Sequence, residues 1–227
     1  MIKTEAIQDE LFIKNISLQD LDKVEELNVS AVDIAGDFSP VFLDDLLNFT
    51  ELKKLKLVSV TLTEEDIQNL KSLKKLKSLE LFDCNLPQTY NFSELEELSI
   101  VRGEGFCLDK IANTNLKSLS IVGMDINNLN AIETNNIIKM RVVSNDASEF
   151  VLPSKLDSLQ SLDVSFSKVS NLSSIVLYKN IKTLVVDRKQ AVMEKSTLNM
   201  ILSRKNNLVL LDEFFMPLDM EDKLNDL

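Results

Sequence analysis

Residues able to do chemistry are sparse in this 227-residue chain, and their spacing argues against a reaction centre. Histidine is absent, which removes Ser-His-Asp and Cys-His nucleophile pairs and every histidine-containing metal motif. The two thiols, Cys84 and Cys107, cannot build a structural zinc site unaided, and they imply no disulfide framework. Carboxylates gather at Asp44-Asp45 and Glu64-Glu65-Asp66, which lie at helix ends where capping explains them. Gly103-Glu104-Gly105 is a lone GxG outside any strand-GxGxxG-helix context, so it reads as a loop bulge rather than a phosphate cradle. There is no GxxxxGK[ST] loop and no calcium loop. The expectation is a chain that is not an enzyme and has no catalytic residue, metal or cofactor.

Apolar spacing is far more informative. The unit apolar-x-x-apolar-x-apolar occurs at Val24-Leu27-Val29, Leu52-Leu55-Leu57, Leu76-Leu79-Leu81 and Leu95-Leu98-Ile100. It continues at Leu116-Leu119-Ile121, Ile137-Met140-Val142, Leu159-Leu162-Val164 and Ile181-Leu184-Val186, with a weaker ninth copy at Leu208 and Leu210. Counting from the fourth residue of each copy, the intervals are 28, 24, 19, 21, 21, 22, 22 and 24 residues. Such periodicity means stacked repeats. Alternation across x-Leu-x-Leu-x sends successive side chains to opposite faces of a short strand. One such strand cannot bury its apolar face alone, whereas parallel stacked copies fuse their Leu columns into one core.

Two connections read as helices. Ser39-Pro40 ahead of Val41–Leu47 supplies an N-cap with proline at the first helical position. Thr63-Glu64-Glu65-Asp66 ahead of Ile67 and Leu70 supplies a cap and an acidic first turn. Ser196-Thr197-Leu198 opens a weaker third candidate, and the shorter middle repeats call for turns or single 3₁₀ turns.

At the residues of the repeated core the chain resembles the leucine-rich repeat superfamily, from roughly residue 11 to 211. The resemblance implies an α/β solenoid of about eight or nine repeats, with a parallel concave sheet and short helices or turns on the convex side. At 227 residues the expectation is a single domain over 1–227, with an N-terminal cap at 1–23, repeats at 24–211 and a cap or tail at 212–227. The family pattern usually places Asn or Cys three residues past the last strand Leu. Here that position reads Val32, Val60, Cys84, Gly103, Met124, Asn145, Ser167 and Lys189, so only Cys84 and Asn145 match.

Net charge is −11 and uneven: residues 1–50 hold eleven acids and three bases, whereas 151–200 hold four acids and seven bases. Acidic ends suit the polar caps a solenoid needs, and they would also steer a basic partner. Nucleic acid is disfavoured, because phosphate binding needs a basic stripe. The cluster Lys53, Lys54, Lys56, Lys71, Lys74, Lys75 and Lys77 reads as a solvated face. The first ten residues lack an apolar signal core and no stretch is apolar enough to span a bilayer, so cytoplasmic residence is the default expectation. The sequons at Asn15, Asn28, Asn48, Asn91 and Asn171 then carry no meaning.

The outward strand positions name a candidate face. Just past the last strand Leu, the repeats read Ser30, Val58, Phe82, Val101, Val122, Val143, Ser165, Asp187 and Leu211. The preceding outward column reads Lys56, Glu80, Ser99, Ser120, Arg141 and Asp163, with Arg102 and Phe166 one residue further along. An apolar stripe with a charged border is what a protein-binding site looks like. The candidate partner-binding residues are Val58, Glu80, Phe82, Val101, Arg102, Val122, Arg141, Val143 and Phe166. Two other readings stand beside this one: Val simply suits strands, or the tail Phe214-Phe215-Met216-Pro217-Leu218 folds back over the stripe.

The expected function is a non-catalytic, monomeric protein-binding module using that face. Its most concrete version is a neutralising inhibitor or immunity-type protein for an intracellular basic protein. The partner is thus another protein, with no membrane and no small-molecule substrate. The alternative is an internalin-like cell-surface adhesion solenoid whose export signal is missing from this chain. An enzyme, or an adaptor feeding one, is the third class.

Overall fold

The computed structural model describes residues 2–7, 23–30, 43–108, 111, 115–126, 129–132, 136–144 and 149–218. The fold is α/β, rich in parallel strands and poor in helix, and its contacts gather into two compact units, Met1–Leu116 and Lys117–Leu227.

The first unit holds β1 (Ile2–Ile7), β2 (Val24–Ser30), β3 (Lys54–Val58), β4 (Ser78–Asn85) and β5 (Glu97–Glu104). Each pairs in parallel with the next. Register sets Leu27, Leu55, Leu79 and Leu98 side by side, and two residues on, Val29, Leu57, Leu81 and Ile100. From Leu55 onward all of these are buried, as period-2 alternation over one apolar face requires. β1 lies within the span expected to be a cap. It extends the ladder by a strand, with Thr4 opposite Leu27 and Ala6 opposite Val29.

Between β3 and β4 runs α1 (Glu64–Ser72), closed at its start by a capping box. The Asp66 amide donates to Thr63 Oγ1 at 3.2 Å and the Thr63 amide to Asp66 Oδ2 at 2.7 Å, which satisfies two otherwise orphaned donors. Its buried face presents Ile67 and Leu70. The other expected helix of this unit is instead a six-residue 3₁₀ helix, Leu43–Asn48; its cap signal Ser39-Pro40 lies outside the described residues.

Gly103 corrects the reading of a bulge. It stays in register opposite Cys84, with φ +104°, and a Cβ there would lie 2.0 Å from the Cys84 carbonyl oxygen. Glycine is required by close backbone approach. The irregularity falls instead at Gly123 in the second unit, where pairing passes from Val122 to Met124.

That second unit orders β6 (Ser118–Met124), β7 (Lys139–Ser144), β9 (Ser161–Asp163), β11 (Thr183–Val185) and β12 (Val209–Leu211) in parallel. A separate parallel pair joins β8 (Glu149–Phe150) to β10 (Lys168–Val169). The column Leu119, Met140, Leu162, Leu184 ends on Leu210, not Leu208. The last copy is therefore shifted by two residues from the sequence reading, because the place of buried Val186 is taken by buried Asp212. Short 3₁₀ helices Asn130–Ile132 and Leu172–Leu177 serve as connections. α2 (Arg188–Met193) and α3 (Lys195–Arg204) precede β12. Only α3 had a sequence signal, at Ser196; its N-cap is Glu194, without a side-chain capping bond. Asp187 caps α2 by accepting the Gln190 amide at 2.9 Å.

Two loop positions three residues past the last strand Leu or Val bond to the backbone of the preceding strand. The Cys84 thiol donates to the Leu57 carbonyl at 3.4 Å, and burial pushes its pKa up. Ser167 Oγ donates to the equivalent Val142 carbonyl at 3.0 Å and accepts the Ser144 amide at 2.9 Å. Asn145 lies outside the described residues. Among those described, no helix is long and apolar enough to cross a membrane.

Candidate partner-binding face

In the first unit, register puts Val58, Phe82 and Val101 in one row, and Lys56, Glu80 and Ser99 in the row before it. All three apolar side chains are half-buried, with their lower flanks shared between neighbouring strands. Arg102 follows Val101 at φ +57°, which ends the outward run and turns the side chain across the strands. Its guanidinium carbon sits 4.8 Å from the centre of the Phe82 ring, and Nη2 donates to Asp83 Oδ2 at 2.9 Å. Held at both sides, the exposed arginine is a preorganised donor, with a cation–π contact worth about 0.5–1 kcal/mol. Lys56 and Glu80 form a loose pair at 4.0 Å.

The second unit pairs Val122 with Val143, both half-buried, and Ser120 with Arg141. Arg141 is exposed, and its Nε lies 3.2 Å from Asp163 Oδ2 on the next strand. Asp163 also accepts the Ser165 amide at 3.0 Å and its hydroxyl at 2.7 Å. That network corrects the outward reading of this end: Asp163, Ser165 and Val185 are buried, so the half-exposed column does not continue along the last strands. Leu211 stands opposite Val185, in the earlier outward column rather than the later one. Phe166 is exposed at φ +59°, its amide donating to Asp187 Oδ2 at 2.8 Å.

The described part of the tail, through Leu218, turns back on β12 within its own unit. Phe214, Phe215 and Met216 are themselves 71%, 60% and 59% exposed. The segment is tied to β12: the Leu218 amide donates to the Leu210 carbonyl at 3.0 Å, and Leu211 and Pro217 form an antiparallel bridge. Asp212 nucleates the turn, accepting the Phe214 amide at 3.0 Å and the Met216 amide at 2.9 Å on Oδ1, with Arg188 Nη2 at 2.8 Å on Oδ2. The Met216 amide and the Arg188 guanidinium hold its pKa below the ordinary carboxylate range.

Chemically the face offers apolar contact, one stacked arginine and paired carboxylates. Among the described residues, no group of three or more acidic or cysteine side chains could hold a metal ion. Sequence reading missed a second feature of the second unit, a groove of about 650 Å³ bounded by Phe166, Val169, Gln190 and Met193. Only Phe166 among these carries a sequence signal. No family model matches the sequence, and neither does any curated protein.

Proposed function

We propose that this chain is a leucine-rich repeat protein, and that it is a non-catalytic module binding another protein through the outward face of its parallel sheet. One observation carries the reading: half-exposed Val58, Phe82 and Val101 lie in register, with Arg102 stacked on Phe82. The aligned Leu columns and the recurrence of a left-handed residue just past the outward row, at Ser59, Asp83, Arg102, Gly123 and Phe166, support the repeat assignment. Val122 and Val143 form the second unit's own apolar pair.

Burying one Val contributes about 1.5 kcal/mol or more, whereas association costs about 4–15 kcal/mol. Valines alone do not suffice, so Phe82 and Arg102 are the anchors of this face, as aromatic and arginine residues are in other interfaces. With a net charge of −11, the favoured partner is basic, and the module is a cytoplasmic, monomeric neutralising inhibitor of immunity type. The test is affinity capture with wild type and Phe82→Asp, both checked by thermal melting. A basic protein retained by wild type and lost by the equally folded variant supports the reading; equal capture by both defeats it.

A further inference from the structure

We propose that the groove between β10 and α2 receives an extended peptide segment of a partner protein, which adds as a strand to the open edge of β10. The groove lies wholly within the second unit, and the inference does not depend on the sheet-face reading. Parallel pairing determines which backbone groups face it. The Ser170 amide donates to the Phe150 carbonyl at 3.1 Å, so in the β8–β10 ladder Lys168 and Ser170 point toward β8. Ser167 and Val169 then point the other way, toward α2. The Ser167 carbonyl confirms that direction, because Gln190 Nε2 reaches across from α2 to donate to it at 3.0 Å. Among the described residues the Val169 N–H and C=O have no ladder partner on that side and are left as an edge pair, one donor and one acceptor spaced for a strand.

Two further observations suit the same occupant. Gln190 Oε1 is buried and meets no protein donor, a costly arrangement that an incoming N–H would relieve. The wall bears Phe166 and Met193, which are 60% and 74% exposed. Phe166 also holds a left-handed backbone that disfavours bulky residues, so local stability does not explain an aromatic there. Among the described lining residues the charges nearly cancel, with Glu149, Asp187 and Glu194 against Lys168 and Lys189. Recognition therefore falls to main-chain hydrogen bonds and alternate apolar side chains, the chemistry of strand addition. At about 3.3 Å per residue, four peptide residues span about 13 Å.

The test selects a phage-displayed heptapeptide library on the immobilised full chain. A synthetic copy of the best peptide is then titrated into wild type, Met193→Asp and Phe166→Asn. Both substitutions are at exposed positions, and Asn suits the left-handed backbone, so melting should match wild type. The expected result is a peptide with apolar residues at alternate positions, bound at least tenfold more weakly by each variant. In the wild type, peptide should also slow hydrogen exchange of the Val169 amide. No enrichment over bare support, equal binding to all three proteins, or an unaffected Val169 amide would each overturn the proposal.

Discussion

Strands of the first unit and the last strands of the second carry the same apolar alternation but end in different ways. β4 and β5 run for eight residues each, and their ladder continues past the outward row through Cys84–Gly103 and Asn85–Glu104. β9, β11 and β12 stop after three residues. Beyond them, carboxylates take the amides that a ladder would have paired. Asp163 receives the Ser165 amide, Asp187 that of Phe166, Glu213 that of Arg188, and Asp212 those of Phe214 and Met216. One apolar pattern is thus compatible with two ways of satisfying the backbone. The choice decides what the outward face looks like: half-exposed Val and Phe in the first unit, buried Asp163, Ser165 and Val185 at the end of the second.

Substitutions can break that contrast. Val185→Asp buries an unpaired charge beside Asp163 and should cost about 3–5 kcal/mol in a denaturant titration, whereas Val101→Asp on the half-exposed row should cost about 1 kcal/mol or less. Comparable losses would erase the difference between the faces. Gly103→Ala should cost about 3 kcal/mol, because its Cβ meets the Cys84 carbonyl at 2.0 Å on a strand continued by backbone pairing. A neutral result would show that β4 and β5 diverge there.

A smaller effect belongs to Tyr90, whose hydroxyl donates to the Cys107 carbonyl at 2.9 Å and accepts the Cys107 amide at 2.6 Å. Tyr90→Phe should cost about 1–2 kcal/mol through the orphaned amide. Burial raises this phenol's pKa to about 12 from 10.0. The folded state therefore keeps its proton longer than the unfolded chain, and Tyr90-dependent stability should fade as pH rises from 10.0 to about 12. The variant should lack that alkaline loss.

The subtlest prediction concerns acid. Asp212 is depressed below its ordinary 3.8, so its contribution is complete above that pH and is lost as pH falls through the lower folded value. The tail turn of the second unit should loosen below pH 3.8, read by amide exchange at Phe214 and Met216, while the backbone-paired ends of β4 and β5 stay protected. Asp212→Asn should show faster exchange at both amides already at neutral pH.

Strand register of β3 to β5, and of β6, β7, β9 and β11, was legible because Leu, Ile, Val and Met mark both buried positions of each copy. Where polar or small residues take those positions the signal fails: Thr4 and Ala6 concealed β1, and Asp212 displaced the last copy by two residues. The cap and acidic first turn of α1 were readable from Thr63 to Asp66, whereas Arg188–Met193 has only Ala191 buried and so lacks an apolar period. Gly103 and Gly123 look alike in sequence, and only the neighbouring backbone separates close approach from bulge. The outward rows followed from alternation. The β10–α2 groove did not, since its walls come from separate segments of the chain and its edge from a two-residue strand.

The central claim is that the row of Val58, Phe82 and Val101 contacts a partner protein. Its most direct test replaces Phe82, and separately exposed Gln68 on α1, with a photoreactive benzoylphenylalanine, followed by irradiation in cell extract. The account predicts one dominant protein adduct from position 82, of basic composition, and none from position 68. Identical adduct patterns from both positions, or none from position 82, would contradict it.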